Sequence, residues 1–328
     1  MRAKWMVVSG VAVSAMAWIG ASPALAAEAS AEAIVDALQK ASGKHMARAS
    51  GAKGVCVKGA FEPAAEAAQV SAAKLFASPA TMVGRFSMGG GNPKISDKTK
   101  PVTRGFAMRF DAGGEAAEFA FVSAPVFSAK TPEQLLAFVE ARFPGPDGKP
   151  DPEKVKAFSA ANPDTTRQAA WLNARPVPQS YAGVNYWGVH AYTLTNAKGD
   201  AKVVKLKAVP AAGEQGLTEE ELKAKPDSFY ADELKERLGK GPAAFDLVAI
   251  LGEPGDPIDD PTAMWPEDGR KTVKLGTIKV TAIEPDATCD AGTFDPTILP
   301  KGIAGPTKDP MFAIRSPAYA ISLSRRSN

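Results

Sequence analysis

Asp309-Pro310-Met311-Phe312-Ala313-Ile314-Arg315-Ser316-Pro317-Ala318-Tyr319 is the stretch on which the reading of this chain turns. Asp309 followed by Pro310 is a helix start: a side-chain acceptor at the N-cap, then a proline whose missing N–H costs nothing in the first turn. Arg315 and Tyr319 stand i,i+4 and share a face, and Arg326, about three turns further on, returns to it. One stripe therefore presents arginine, tyrosine and arginine. Pro317 interrupts the pattern, and a mid-helix proline costs about 3 kcal/mol, so a bend or a late helix start is expected there. A phenol beside a guanidinium is a candidate anionic metal ligand. An ordinary phenol titrates near pH 10, so ionising it at neutrality costs about 4 kcal/mol, a cost that a nearby cation and a bound ferric ion both reduce. An ordinary helix surface carries the same pair.

Upstream of that stripe the chain reads as hairpins. Residues 54–61 form a strand, an Ala-rich helix follows to about Phe76, and residues 81–88 alternate so that Arg85 and Ser87 project from one face. Residues 89–103 are a long loop opening with three glycines and lacking the Lys-Ser/Thr of a phosphate-binding loop. Strands at 105–110 and 118–122 flank the turn Asp111-Ala112-Gly113-Gly114, and strands at 187–194 and 201–209 flank Asn196-Ala197-Lys198-Gly199. Further strands fall at 244–251 and 272–283. Helices are inserted between hairpins: one at 30–42, one capped by Thr131 and one capped by Thr218, with only short helices in the Pro-rich run 144–178. This is an α+β chain: a largely antiparallel sheet with inserted and flanking helices, which with enough hairpins can close into an antiparallel β-barrel whose mouth can hold a ligand.

At the other end of the chain, Arg2 and Lys4 precede an apolar run from Met6 to Ile19 and a small-x-small site, Ala24-Leu25-Ala26. That is the pattern of a secretory signal peptide over residues 1–26, leaving residues 27–328 as a single exported domain, most simply periplasmic. No later run is long and apolar enough to span a bilayer. Without Arg2 and Lys4 the balance is 37 basic to 36 acidic residues, which argues against nucleic acid or an anionic membrane as partner. Cys56 and Cys289 are far apart; export permits a disulfide and does not demand one. No Cys-x-x-Cys-His occurs, so any haem is not attached as in c-type cytochromes.

Four segments together resemble the haem catalases, most closely the short catalase-related peroxidases: residues 83–87, residues 103–110, residues 122–127 and the stretch 309–319. The resemblance runs from about Gly43 to Arg326. It implies a catalase-like core holding non-covalent haem b. Tyr319 would be the iron ligand with Arg315 beside it, and His190 and Asp309 would hold that arginine. Arg85 and Arg326 would pair with the propionates, and Phe127 would lie near the macrocycle, with Leu135 where the family often has another aromatic. His45 would be the distal acid/base and Ser87 its hydrogen-bond partner. Three departures stand out. Val122 replaces the distal asparagine. Ser42 stands where an arginine three residues before the distal histidine is usual, so one propionate partner is missing. The chain ends two residues after Arg326, which removes the family's ground for expecting a threaded tetramer and favours a monomer or dimer.

The implied reaction is reduction of hydrogen peroxide or an organic hydroperoxide by an organic electron donor, with weak oxygen release because Val122 cannot position a second peroxide. The alternatives are a non-enzymatic haem-binding barrel and a lyase or isomerase of lipid hydroperoxides. Read without the resemblance, His45 is a solvated loop histidine after a helix stop, and His190 a satisfied core histidine.

Overall fold

The computed structural model describes Met1, residues 29–43 and residues 45–327; the expected leader, Met1 apart, lies outside the described residues. Eight strands follow one another as an antiparallel meander: β1 (Gly54–Pro63), β2 (Ala80–Met88), β3 (Arg104–Asp111), β4 (Ala116–Val122), β5 (Tyr186–Thr195), β6 (Ala201–Pro210), β7 (Ala243–Leu251) and β8 (Thr272–Ile283). β8 pairs back onto β1 and β4 meets β5 at Val122↔Trp187, so the sheet closes into a barrel. A short strand, β9 (Ile303–Ala304), adds to β5.

Strand alternation decides which face does what. Phe86 of β2 points into the bore, where its ring stacks on Phe106 at 4.3 Å and reaches Phe245 of β7 across the barrel at 6.2 Å. Tyr181, Tyr186 and Phe245 complete this plug, all essentially without solvent exposure. A bore filled with rings cannot admit a ligand, so the expected site at the barrel mouth is replaced by one on the outer wall. There the register sets Arg85 against Ala107 and Ala120, and Ser87 against Gly105 and Val122. Small side chains in β3 and β4 leave a shallow floor from which the two polar residues of β2 rise.

Helices roof that floor. α1 (Ala31–Ser42) starts at Ser30, whose hydroxyl accepts from the Ala33 N–H at 3.1 Å, and it packs on α2 (Pro132–Glu140). Thr131 caps α2, but Gln134 reaches back to the Lys130 N–H rather than completing a reciprocal box. α3 (Pro152–Ala161) and α4 (Arg167–Asn173) occupy the Pro-rich run; α5 (Glu219–Ala224) carries the full reciprocal cap at Thr218 and Glu221. α6 (Tyr230–Lys240) has Phe229 at its N-cap and no capping side chain, which is why the sequence does not announce it. The Ala-rich segment before Phe76 is not one helix but two tight single turns, Ala67–Gln69 and Lys74–Phe76.

α7 (Asp286–Asp290) is tied to β1 by a Cys56–Cys289 disulfide, Cα atoms 5.8 Å apart. The last segment splits into α8 (Pro310–Ala313) and α9 (Arg315–Ser327) around Ile314. The restart puts Pro317 in the first turn of α9, where a missing N–H forfeits no helical bond. Among the described residues no helix is long and apolar enough to cross a membrane.

Candidate active site

A cavity of about 880 Å³ lies between the outer floor of β2–β4 and helices α1, α2 and α9. That size suits a ligand of cofactor dimensions. Ile314, Arg315, Ala318, Tyr319, Ser322 and Arg326 line it, a spacing of three and four residues that gives α9 one continuous wetted stripe. Phe127 and Leu135 line it too, as does Val122.

A relay of four side chains stands behind the Tyr319 oxygen. Asp309 Oδ1 caps α8 by accepting from the Met311 and Phe312 N–H groups at 2.8 and 3.1 Å. Its Oδ2 lies 2.6 Å from His190 Nδ1, and His190 Nε2 lies 3.4 Å from an Arg315 Nη. Arginine can only donate, so Nε2 accepts and Nδ1–H donates to Asp309, which fixes the neutral tautomer. Burial agrees: it holds the His190 pKa below the usual imidazole value, with the hydrogen bond to Asp309 opposing it. The other Arg315 Nη donates to the Tyr319 oxygen at 2.9 Å. Burial works against the Arg315 charge, but Tyr319, Tyr192 and Asp295 outweigh it and hold its pKa above the ordinary value. A cationic donor at that distance stabilises negative charge on the phenol oxygen.

A second group is a cluster of arginines. Arg85 donates to the Gly51 and Ala52 carbonyls at 2.5 and 3.0 Å, and Arg326 donates to the Gly292 carbonyl. Between them comes Arg48, which donates to the Cys289 carbonyl at 2.6 Å and pairs with the half-exposed Asp290 at 3.3 Å. Burial, then the charge of Arg48, pulls both Arg85 and Arg326 down to about 10. The Nε atoms of Arg48 and Arg326 are buried without partners among the described residues. Three arginines whose pKa values burial lowers, with Asp290 and Asp286 only partly offsetting it at Arg48 and Arg85, form a cradle suited to an anion. Arg48 thus places on the cavity wall, beside Arg85 and Arg326, a cation of the kind that Ser42 does not provide.

His45 requires the larger correction. It is not among the residues lining the cavity; its Nδ1 accepts from the Ala47 N–H at 3.2 Å, and its Nε2 is buried without a partner among the described residues. What faces Ser87 is Gly51, where an added Cβ would come within 3.2 Å of the Ser87 hydroxyl oxygen. The spacing carries the signal: with Arg48 as the anchor, the residue three further on is Gly51, not a histidine. The expected His45–Ser87 pair does not form.

These features fit a haem. The cavity is large and mostly apolar, the arginine cradle matches two carboxylates, and a phenol oxygen with a charged donor behind it stands on the wall. Among the described residues no cluster of three or more His, Cys, Asp or Glu could hold a bare metal ion.

The family profile described as Catalase matches residues 33–327. A catalase-related peroxidase of Synechococcus elongatus is 40% identical over 280 residues, covering 84% of this chain and 82% of that protein. One of Mycolicibacterium paratuberculosis is 32% identical over 287 residues, covering 85% and 89%. Among solved structures, catalase A from Saccharomyces cerevisiae superposes with a TM-score of 0.77 at 20% identity, and a fungal catalase with 0.76 at 20%. Each match covers 85% of this chain, which spans 61% and 59% of those two proteins. A closed eight-stranded barrel, an arginine–tyrosine wall and a profile match over nearly all the described residues agree: the chain belongs to the catalase family.

Proposed function

We propose that this chain is an exported haem b protein that reduces peroxides with organic one-electron donors and releases little oxygen from hydrogen peroxide. The observation that carries the reading is the relay Asp309–His190–Arg315–Tyr319 on the cavity wall. Tyr319 would hold the iron, Arg48, Arg85 and Arg326 would hold the propionates, and Phe127 would supply aromatic wall. When bound, haem supplies the electrons that break the peroxide bond and is refilled by the donor. The residues do the rest. Arg315 stabilises charge on the Tyr319 oxygen, and neutral His190 passes the orientation of Asp309 to Arg315. Ser87 offers a hydroxyl that both accepts and donates to a bound peroxide. Val122 gives no amide to hold a second peroxide, which favours organic donors over disproportionation. The relatives named catalase-related peroxidases support the reaction class, and the Cys56–Cys289 bond supports an oxidising compartment.

The test is an absorption titration with ferric haem. Wild type should bind stoichiometrically with a phenolate-type ferric spectrum, and Tyr319→Phe should lose that spectrum. An unchanged spectrum in the variant rejects the assignment. Gly51 favours a second reading, haem binding without turnover, which peroxidase assays of the loaded protein separate from the first.

A further inference from the structure

Among the described residues the cavity is lined by five arginines, one tyrosine and no histidine, aspartate, glutamate, lysine or cysteine. Arginine stays protonated throughout the physiological range and cannot take up a proton. Tyr319 is engaged by Arg315, and a serine hydroxyl does not titrate near neutrality. Where an imidazole would meet Ser87 there is the bare backbone of Gly51, and the His45 ring lies outside the lining with Nδ1 held by the Ala47 N–H.

Breaking a peroxide bond makes two proton demands. The attacking oxygen must lose its proton, and the departing oxygen must gain one or leave as a strong base. For hydrogen peroxide the leaving group is hydroxide, whose parent acid, water, has a pKa of about 15.7. A positioned acid/base is worth about 10²–10⁴-fold in rate, and this wall provides none.

We infer that the site is selective for peroxy acids, peroxides whose leaving oxygen departs as a carboxylate, and is poor with hydrogen peroxide and alkyl hydroperoxides. The inference rests on the reading that haem occupies the cavity. A peroxy acid meets both demands itself. It is a stronger acid than hydrogen peroxide, and a wall whose five arginines outnumber its one phenol favours its anion. Its leaving group has a parent acid near pKa 4, roughly twelve units below water. With a phenolic donor the sum balances: one peroxy acid and two phenols give one carboxylic acid, one water and two phenoxyl radicals. The O–O bond breaks, each phenol gives one electron, and the two phenolic protons go to the carboxylate and the water.

The haem-loaded full chain is assayed at pH 7 with peroxyacetic acid, tert-butyl hydroperoxide and hydrogen peroxide, using one phenolic donor. The kcat/KM for peroxyacetic acid should exceed that for the other two by at least about 100-fold, the scale of the missing assistance. Equal values overturn the inference. In Gly51→His an imidazole is placed against Ser87, and the left-handed φ of +68° at this position is one that histidine tolerates better than most residues. The preference should then shrink at least about tenfold, within the range that acid/base assistance supplies; a folded variant with an unchanged preference overturns the inference. A readout independent of turnover, and of that variant folding, is cyanide binding to the wild type. With no base in the cavity, each hydrogen cyanide bound as cyanide should release its proton to solvent, which a pH indicator records, and retention of the proton overturns the inference. Failure to bind haem at all, seen in the titration before any peroxide is added, overturns the underlying reading and this one with it. Bound haem with equal rates overturns this one alone.

Discussion

Arg48 donates to the Cys289 carbonyl and leaves its Nε buried without a partner among the described residues, so its charge is only partly satisfied by the protein. A carboxylate bound there would gain a charge-assisted hydrogen bond worth about 1.5–3 kcal/mol, or roughly 10–100-fold in Kd. Arg48→Gln should therefore weaken haem binding by about that factor in an absorption titration; an unchanged Kd means the cradle holds no propionate. His190 gives a pH signature. Burial lowers its pKa in the folded protein, so at pH 7 it is neutral folded and mostly neutral unfolded. As pH falls below about 6.5 the unfolded chain takes up a proton that the folded chain refuses, and stability is lost until the lowered folded pKa is reached. The slope is at most about 1.4 kcal/mol per pH unit. His190→Asn should flatten urea-unfolding free energy between pH 6.5 and 5; an equal slope in the variant removes His190 as its source. The two histidines also show where sequence reading succeeds at this scale. His190 lies in β5 at a register shift between Trp187 and Ala191, yet the strand as a whole is fixed by its pairing with β6 and β9, and that placement brings the ring to Asp309 at the start of α8. His45 sits in an irregular segment between α1 and β1, where nothing periodic fixes direction, and Arg48, three residues on, was the better anchor.

At the scale of elements, α7 is five residues long and cannot hold itself together, yet the carbonyls at its C-terminal end receive Arg48 and Arg326. The Cys56–Cys289 bond fixes it to β1, closing a sequence separation of 233 residues. Cys289→Ser should lower unfolding free energy by about 2–5 kcal/mol in urea titration and weaken haem binding as well, because the carbonyl end of the cradle loosens. Loss of stability with haem affinity intact would uncouple α7 from the site. The C-terminal pair behaves differently. Pro317 is expected to break a helix by its chemistry, and the chain accommodates it by restarting at Arg315, so the proline is in place rather than in conflict. Pro317→Ala should cost only about 0.4–1 kcal/mol, through the greater freedom of the unfolded chain. A larger loss would mean that the ring itself packs into the site. Both elements are legible in outline only: the residues name the break and the two cysteines, while the partner of each depends on contacts between segments far apart in sequence.

For the molecule as a whole, hairpin order and strand alternation make a largely antiparallel sheet legible, because each turn and each period of two is local, whereas its closure rests on β8 meeting β1 and β4 meeting β5, pairings between residues far apart in sequence. Which side of the wall the ligand occupies is not local. It is decided by whether the aromatic residues of one strand meet those of the strand across the bore, and here they do: Phe86, Phe106, Tyr186 and Phe245 interlock. Stability and binding therefore sit on opposite faces of the same strands, and they should separate under mutation. Phe245 is fully buried in the bore and does not line the cavity. Phe245→Ala should cost about 3–5 kcal/mol of unfolding free energy by leaving a void that neighbouring rings cannot close. At temperatures where the variant stays folded, its haem Kd should stay within about threefold of wild type, since less than about 1 kcal/mol of the loss would reach the outer wall. Arg48→Gln should do the reverse, with little change in the urea midpoint and a large change in Kd. If Phe245→Ala weakened haem binding as strongly as Arg48→Gln, the bore and the cavity would be one energetic unit, and placing the ligand outside the barrel would be wrong.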